Sequence, residues 1–341
     1  MWVKGGFRMK KVTMRDIGTA AGVSAVTVSK ALAGKPGMSD DMRRQIQDLA
    51  AKMGYQYPEG RNAAPLKTGL DIGIVIPEQY FEPDSFYAMI YKKLISRLSL
   101  DGQFGLLELL SAADDAALHP PRLIDTQHVD GLILLGQPSK EYFRKLALLG
   151  TPIVFLDFYD EQGSADSVVG DNTYGCYRLT SHLIKNGHRN IGFVGNMRVT
   201  SSILDRFLGY YRALLMHDLT LHPEWILKDR DSHNNFIDIV LPDHLPTAFV
   251  CNCDVIAARL ISLLQARGLR VPQDISVTGF DDYLILPSSV PLSTFRIDID
   301  DMVELAVKAI TERCSGSRKP FGRLVVSGQP IYRASETTCG P

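Results

Sequence analysis

The side chains best suited to chemistry follow the ends of predicted strands. Asp157 comes directly after an apolar run, and Asp281 comes one residue after another. Asp254 follows a third such run, and Arg206 lies in the helical stretch after a fourth. Carboxylates accept hydrogen bonds from hydroxyl groups, a guanidinium donates them, and aromatic rings cover the C–H face of a sugar ring. The aromatic candidates near these positions are Tyr80, Phe86, Tyr87 and Phe158. This combination predicts a binding site for a small neutral polyhydroxylated molecule.

Other interpretations of the same residues are structural or enzymatic. An aspartate after a strand is often a helix cap, and this applies to Asp254 and Asp282. Paired carboxylates also hydrolyse glycosidic bonds. However, the sequence contains no G-x-S-x-G, P-loop or H-E-x-x-H motif, and no G-x-G-x-x-G follows its first predicted strand. We therefore expect a binding protein that is not an enzyme and that needs no cofactor or metal.

The elements that must position these residues begin at residue 70, where short apolar runs alternate with helical stretches. This alternation predicts parallel strands with helices on both faces of each sheet, and such sheets bind ligands at the carboxyl ends of their strands. About 270 residues are too many for one open sheet, so we expect two lobes with the site in the cleft between them. The predicted strands are 72–76, 104–109, 131–135, 152–156, 190–194, 247–250 and 275–279.

Residues 13–54 are predicted to form three short helices arranged as a helix-turn-helix. Thr13 and Ser24 are suitable N-caps for the first two helices. With Val28 and Leu32 buried, the second helix presents small side chains and one lysine, which suit the major groove of DNA. That outward face comprises Ala25, Val26, Thr27, Ser29 and Lys30. A three-helix module that binds another protein is the alternative.

Charge separates this N-terminal segment from the rest of the chain. Residues 1–58 hold ten Lys/Arg against four Asp/Glu, whereas the remaining residues hold 27 against 34. A basic head on a mildly acidic body predicts a polyanion partner for the head, namely double-stranded DNA. The sequence has no apolar run that could span a membrane and no recognisable N-terminal leader. Its five cysteines lack metal-ligand or disulfide spacing, so we expect reduced thiols, no membrane partner and a cytoplasmic location.

The N-terminal motifs resemble one known family. The segments V-T-x-x-D-I, A-G-V-S and T-V-S-K are similar to the headpiece of the LacI/GalR family of transcriptional regulators. The resemblance implies base contacts and backbone contacts from different positions of one helix. The implied base-reading residues are Ala25, Val26 and Lys30, and the implied backbone-holding residues are Thr13, Thr27 and Ser29. Ser24, which caps the same helix, completes the predicted DNA-binding set.

Core motifs similar to those of the same family follow in the same order. They are FLDFYD, DNTYG, LIKNGHRNIGFVG, RFLGY, RVPQDISVTGFDD and PLSTFRIDID. The resemblance implies a core of the type I periplasmic-binding-protein kind, with effector contacts from Asp157, Arg206 and Asp281. It also implies a homodimer on a pseudo-palindromic operator. Asp254 matches the aspartate of the family's N-D-x-x-A motif, although Cys253 stands where that motif has asparagine.

Residues 57–69 are predicted to link the head to the core. In the family a hinge leucine wedges into the minor groove of DNA, and Leu66 matches that leucine. Pro65 directly precedes Leu66, and proline is a poor helix former. The segment is therefore either an unusual hinge whose Leu66 enters DNA or a flexible tether for the head.

The sequence thus predicts a small all-α helix-turn-helix headpiece followed by a two-lobed α/β core. The expected segments are a disordered extension (1–10), the headpiece (11–56), the hinge (57–69), a first lobe (70–166 and 298–325) and a second lobe (167–297 and 326–341). The expected function is an allosteric repressor of carbohydrate-utilisation genes that senses a neutral sugar. A purine-like effector or a protein co-regulator is the alternative, and a sugar-binding protein or glycoside enzyme is a further one.

Overall fold

The computed structural model describes residues 12–32, 38–53, 55, 69–125, 129–283 and 290–340. The chain divides into two units, Met1–Lys67 and Thr68–Pro341, and the division falls inside the segment predicted to be a linker. Within the described ranges no helix is both long enough and apolar enough to cross a membrane. Leu66 and the extension predicted over residues 1–10 lie outside the described residues.

The N-terminal unit contains three helices, α1 (Met14–Ala21), α2 (Ala25–Leu32) and α3 (Asp40–Lys52). Thr13 and Asp16 cap α1 reciprocally, because each side chain accepts a hydrogen bond from the backbone N–H of the other residue, at 3.3 and 2.8 Å. Gly22 then adopts a φ of 66°, a left-handed conformation that glycine tolerates. Among the described residues of this unit, the buried hydrophobic core comprises Ile17, Val28, Ala31, Ile46 and Ala50. Caps, turn and core together produce the helix-turn-helix.

The second unit alternates strands and helices. Its strands are β1 (Asp71–Pro77), β2 (Phe104–Leu110), β3 (Gly131–Leu135), β4 (Ile153–Leu156), β5 (Asp166–Gly170), β6 (Ile191–Val194), β7 (Ile226–Leu227), β8 (Ala248–Cys251), β9 (Ser276–Thr278), β10 (Thr294–Ile297), β11 (Arg323–Val326) and β12 (Gly328–Ile331). Its helices are α4 (Phe86–Leu100), α5 (Ala112–Ala117), α6 (Arg122–Asp125), α7 (Lys140–Ala147), α8 (Asn172–Lys185), α9 (Ser201–Met216), α10 (Asp254–Ala266) and α11 (Ile299–Cys314). Short 3₁₀ turns cover Glu78–Tyr80 and Pro223–Trp225.

The first lobe is built on a six-stranded parallel sheet with the order β11-β5-β4-β3-β1-β2. One face is covered by α4 and α11, where Ile74, Leu94 and Val303 belong to one buried cluster. The other face is covered by α7, where Val75 and Phe143 belong to another. Because both faces are buried, the central strands are continuous apolar runs rather than alternating ones, which is why they are recognisable in the sequence.

The second lobe is built on a four-stranded parallel sheet with the order β7-β6-β8-β9. Helices α8 and α9 pack closely together, and Gly209 permits this approach, because a Cβ there would lie 2.1 Å from the carbonyl oxygen of Thr173. Helix α10 contributes Ile256, Leu260 and Leu264 to the buried cluster that also contains Phe249 of β8. The carboxyl ends of β6 and β8 lead into the residues of the candidate site.

The chain crosses between the lobes three times, after β5, before α11 and after β11. The crossings are adjacent, since the Asp171 N–H donates to the Val326 carbonyl at 2.9 Å and β10 pairs with β12 through Ile297 and Gly328. The first crossing follows Gly170 rather than residue 166, because β5 pairs with both β4 and β11 inside the first sheet. For the same reason the first lobe extends to the end of β11, one residue past the predicted boundary at 325.

Candidate functional site

The outward face of α2 in the headpiece has the composition predicted from the sequence. Val26 is 65% exposed and Lys30 is also exposed, one helical turn apart on the side opposite the buried Val28. Ser24 caps the helix by accepting the Thr27 N–H at 3.1 Å. Thr13 is exposed, and Ala25, Thr27 and Ser29 are half-buried at the sides of the same helix face or its N-terminus. An exposed valine beside a lysine is suited to contact thymine methyl groups and guanine edges.

Four predicted effector residues meet on the first-lobe side of the cleft. The Tyr87 hydroxyl donates to Asp157 Oδ2 at 2.8 Å. The rings of Tyr80 and Tyr87 lie 4.9 Å apart, and Phe86 meets Tyr87 edge-on at 5.5 Å. Asp157 follows β4 directly with a φ of 69°, a turn conformation that aspartate tolerates better than most residues. A buried carboxylate therefore lies beside a set of aromatic rings.

Arg206 and Asp281 meet on the second-lobe side. Arg206 projects from α9, and its Nη2 donates to Asp281 Oδ1 at 2.9 Å. Its Nε donates to Asn172 Oδ1 at 2.8 Å, and its Nη1 donates to the carbonyl oxygen of Asn252. The guanidinium also lies 4.1 Å from the centre of the Phe280 ring. Every nitrogen of Arg206 thus already has a protein partner.

The electrostatics of the cleft are dominated by buried carboxylates. Burial raises the pKa of Asp157 to about 6, with Arg206 opposing the rise and Asp281 adding to it. Burial also raises the pKa of Asp281 above its ordinary value, although Arg206 opposes this. The pKa of Tyr87 is well above its ordinary value because of burial and the neighbouring Asp157 charge. Hydrogen bonds donated by a ligand would stabilise the ionised form of Asp157 against this burial.

Two predicted effector residues are occupied by contacts within their own lobe. Phe158 is fully buried in the first-lobe core, stacked on Phe155 with ring centres 4.7 Å apart, so the prediction that it covers a ligand is wrong. Both carboxylate oxygens of Asp254 already accept hydrogen bonds from the protein, one from the Tyr283 N–H at 2.9 Å and the other from the Thr294 hydroxyl at 2.6 Å. Asp254 therefore joins segments of the second lobe and does not cap α10, whose N-cap residue is Cys253, so the capping interpretation is also wrong.

Direct contacts join the two lobes around these residues. The Gln137 side chain accepts the Ser201 N–H at 2.9 Å, and the Tyr159 hydroxyl donates to Asp205 Oδ1 at 3.0 Å. Further contacts join Tyr80 to Asn234 by a hydrogen bond and Phe86 to Tyr283 by ring edges 5.8 Å apart. The cleft is closed in this conformation. Among the described residues, no group of three or more His, Cys, Asp or Glu side chains is arranged to hold a metal ion.

Sequence reasoning missed the loop after β7. Asp229 is fully buried and accepts hydrogen bonds from the Asn196 N–H, the Asn252 amide and Arg230 Nε, at 2.8, 2.9 and 2.8 Å. Arg230 lies next to it, and Asn234 reaches the first lobe. The signal was present, because these residues follow the carboxyl end of a parallel strand. That strand has only two residues, too few for a recognisable apolar run.

Comparison with known proteins agrees with this architecture. Residues 13–57 match the family described as bacterial regulatory proteins, lacI family, and residues 180–336 match a periplasmic binding protein-like domain. The ribose operon repressor of Haemophilus influenzae is 29% identical over 95% of this chain and 98% of its own length. The HTH-type transcriptional repressor PurR of Glaesserella parasuis is 28% identical over 88% of this chain and 89% of its own length.

Two solved structures share the fold over nearly the whole chain. A lac repressor dimer bound to operator and the anti-inducer ONPF is similar with a TM-score of 0.67 and 21% identity, over 96% of this chain and all of that one. A complex of the transcriptional regulator CelR with cellobiose is similar with a TM-score of 0.66 and 22% identity, over 95% of this chain and all of that one. Headpiece and core both match, and this chain carries a helix-turn-helix headpiece of the lacI family of bacterial regulatory proteins followed by a periplasmic binding protein-like core.

Proposed function

We propose that this DNA-binding transcriptional repressor senses a small neutral sugar in the cleft between its lobes. The observation that carries the proposal is the state of the Asp157 carboxylate. Its Oδ2 accepts from Tyr87, while Oδ1 has no hydrogen-bond partner among the described residues. A buried, half-satisfied carboxylate favours a ligand that donates hydroxyl hydrogens. The name of the similar ribose operon repressor supports an effector of this class.

A purine-like effector is the second candidate. The rings of Tyr80, Phe86 and Tyr87 form a continuous aromatic cluster that could stack on a nucleobase. Several similar proteins are named as PurR repressors. A base would present N–H groups to Asp157, so the carboxylate alone does not separate the two classes. The hydroxyl groups of a sugar can each donate and accept a hydrogen bond, so they can bind polar side chains of both lobes without stacking on the aromatic rings. We favour the sugar for that reason.

Thermal unfolding of the full chain tests the effector class. The protein would be heated with D-ribose, other pentoses, hexoses, disaccharides, hypoxanthine or guanine. A ligand at 100 times its Kd adds about 2.7 kcal/mol of stability, which corresponds to a shift of several degrees. A shift with a sugar that is absent in the variant Asp157→Asn supports the proposal. A shift with a nucleobase alone replaces the sugar with a purine, and no shift with either class contradicts a small-molecule effector and favours a protein co-regulator.

For the operator we propose contacts from the α2 face. The proposed base-reading residues are Ala25, Val26 and Lys30, and the proposed backbone-holding residues are Thr13, Ser24, Thr27 and Ser29. Small side chains around one lysine support this division, because they allow the helix to approach base edges closely. We also propose that Leu66 wedges into the minor groove and that a homodimer places two heads on a pseudo-palindromic site. Effector and operator must then alter each other's affinity by the same factor.

A further inference from the structure

The first turn of helix α9 has an amide partner in the other lobe. The helix begins at Ser201, and the first amide groups of any helix lack an acceptor within it. Thr200 caps the third of these amides by accepting the Ile203 N–H at 3.2 Å. The Ser201 N–H instead donates to Gln137 Oε1 of the first lobe at 2.9 Å. Closure of the lobes thus supplies the partner that this amide lacks inside its own helix.

Tyr159 of the first lobe makes two further contacts with the same turn. Its hydroxyl donates to Asp205 Oδ1 at 3.0 Å, and its N–H donates to Ser201 Oγ at 3.4 Å. The guanidinium of Arg323, the first residue of β11, lies 4.5 Å from the centre of the Tyr159 ring. Burial raises the pKa of Asp205 above its ordinary value, although Tyr159 and Arg323 oppose the rise. The ring is therefore held in its own lobe while its hydroxyl reaches the other one.

These contacts lie next to the predicted effector residues in the chain. Tyr159 is two residues after Asp157, and Asp205 directly precedes Arg206. The hydrogen bond between Tyr159 and Asp205 consequently joins the two backbone segments that carry Asp157 and Arg206 on opposite sides of the cleft. Separation of the lobes would break this bond together with both contacts of Ser201.

We propose that Tyr159 is a positioning residue, which locks the first turn of α9 to the first lobe and fixes the spacing across the cleft before a ligand enters. The interlobe lock consists of Tyr159, Gln137, Ser201 and Asp205. A hydrogen bond from a hydroxyl to a carboxylate is charge-assisted and stronger than one between neutral groups. The lock itself needs no effector. Only its effect on effector affinity rests on the proposed function, and Tyr159 acts there without touching the ligand.

Amide hydrogen exchange of the full chain, measured by mass spectrometry at single-residue resolution, tests the lock. Tyr159→Phe removes only the hydroxyl. The Ser201 amide should then exchange about 10-fold faster, because a charge-assisted hydrogen bond no longer opposes separation of the lobes. The Leu204 amide is the internal reference, since it donates to the Thr200 carbonyl within α9 at 3.2 Å and should keep its rate.

Two further variants test whether the effect belongs to the bond between the lobes. Tyr332→Phe is the matched control, because the Tyr332 hydroxyl contacts Arg178 of the same lobe, and Ser201 exchange should stay unchanged. Asp205→Ala should accelerate Ser201 exchange as much as Tyr159→Phe does, and the double variant should be no faster than either. An unchanged Ser201 rate in Tyr159→Phe overturns the proposal. Equal acceleration of the reference amide, or effects that multiply in the double variant, also overturn it.

A second measurement tests the consequence for the effector. It uses the member of the sugar and nucleobase panel that shifts thermal unfolding most. Calorimetric titration should show binding up to about 10-fold weaker in Tyr159→Phe, because the closed arrangement is less populated. Equal affinity alongside faster Ser201 exchange would overturn the positioning role of Tyr159. If no panel member binds the wild-type protein, the proposed function fails, and the exchange rates still decide whether the lock exists.

Discussion

Replacing Asp157 with asparagine should stabilise the repressor at neutral pH while abolishing its response to effector. Burial raises the pKa of this carboxyl from 3.8 to about 6. Since each pKa unit corresponds to 1.36 kcal/mol, ionised Asp157 costs the folded state about 3 kcal/mol. The cost is absent below pH 4 and complete above pH 7, because the folded-state pKa lies above the unfolded one. Asparagine keeps an acceptor for the Tyr87 hydroxyl and removes the charge.

The assay is urea unfolding of the wild-type protein and Asp157→Asn between pH 4 and 8. The two free energies of unfolding should converge near pH 4 and separate by up to about 3 kcal/mol toward pH 8, with the variant more stable. Asp160→Asn is the control of opposite sign, because hydrogen bonds from Arg144, one at 3.0 Å, hold the pKa of Asp160 below its ordinary value despite burial. That variant should lose stability at neutral pH. Parallel pH profiles for the wild-type protein and Asp157→Asn would refute the reasoning.

Three further substitutions test the headpiece, the helix packing and the corrected role of Asp254. In a DNA-binding titration, Lys30→Ala should reduce the discrimination between base pairs at one operator position by about 1–3 kcal/mol of binding free energy. Lys52→Ala on α3 should leave this discrimination unchanged. Equal weakening on operator and random DNA would reduce Lys30 to a phosphate contact. Gly209→Ala should destabilise the core by about 1–3 kcal/mol in urea unfolding, because its Cβ would lie 2.1 Å from a carbonyl oxygen of α8, and Gly322→Ala, with no atom within 4 Å, should be neutral. Burial raises the pKa of Asp254 to about 7, so its ionisation adds little cost at pH 4. At that pH Asp254→Ala should lower the free energy of unfolding by about 1–3 kcal/mol because it strands two donors, and effector affinity measured by calorimetry should stay unchanged. A loss of affinity without a loss of stability would return Asp254 to the ligand.

The sequence predicted those elements whose physics is local. The capping pair Thr13 and Asp16 and the apolar strands buried on both faces all lie within a few residues of chain. Strands β5, β7, β10, β11 and β12 were missed as strands, because all are short and all except the two-residue β7 carry polar or glycine residues. The pairing between β5 and β11 joins segments more than one hundred residues apart in the sequence. Local pattern contains no information about such partners.

The candidate site residues, like the strands, were predicted where a local pattern marks them and were missed where distant contacts decide. The strand-end rule predicted that Asp157, Arg206 and Asp281 lie close together, as they do, because a parallel sheet brings its carboxyl ends together whatever the intervening sequence. It misassigned Phe158, since successive residues after a strand point in different directions and only the fold decides which one reaches the cleft. It missed Arg230 because the strand before it has two residues. Which donors of an arginine remain available is set by tertiary contacts, which residue type does not reveal.

The three adjacent crossings between the lobes restrict how the core can move. A single connecting segment would let one lobe rotate freely about the chain. Here three connections lie side by side and are joined by the Asp171–Val326 hydrogen bond and the β10–β12 pairing. We expect connections arranged in this way to allow hinge bending about one line and to oppose twisting of one lobe against the other. Gly170 lies at this line against Ile297, where an added Cβ would sit 2.8 Å from that side chain. We therefore expect the lobes to open by one rotation about this line, which would give closure at the effector end a defined direction throughout the core.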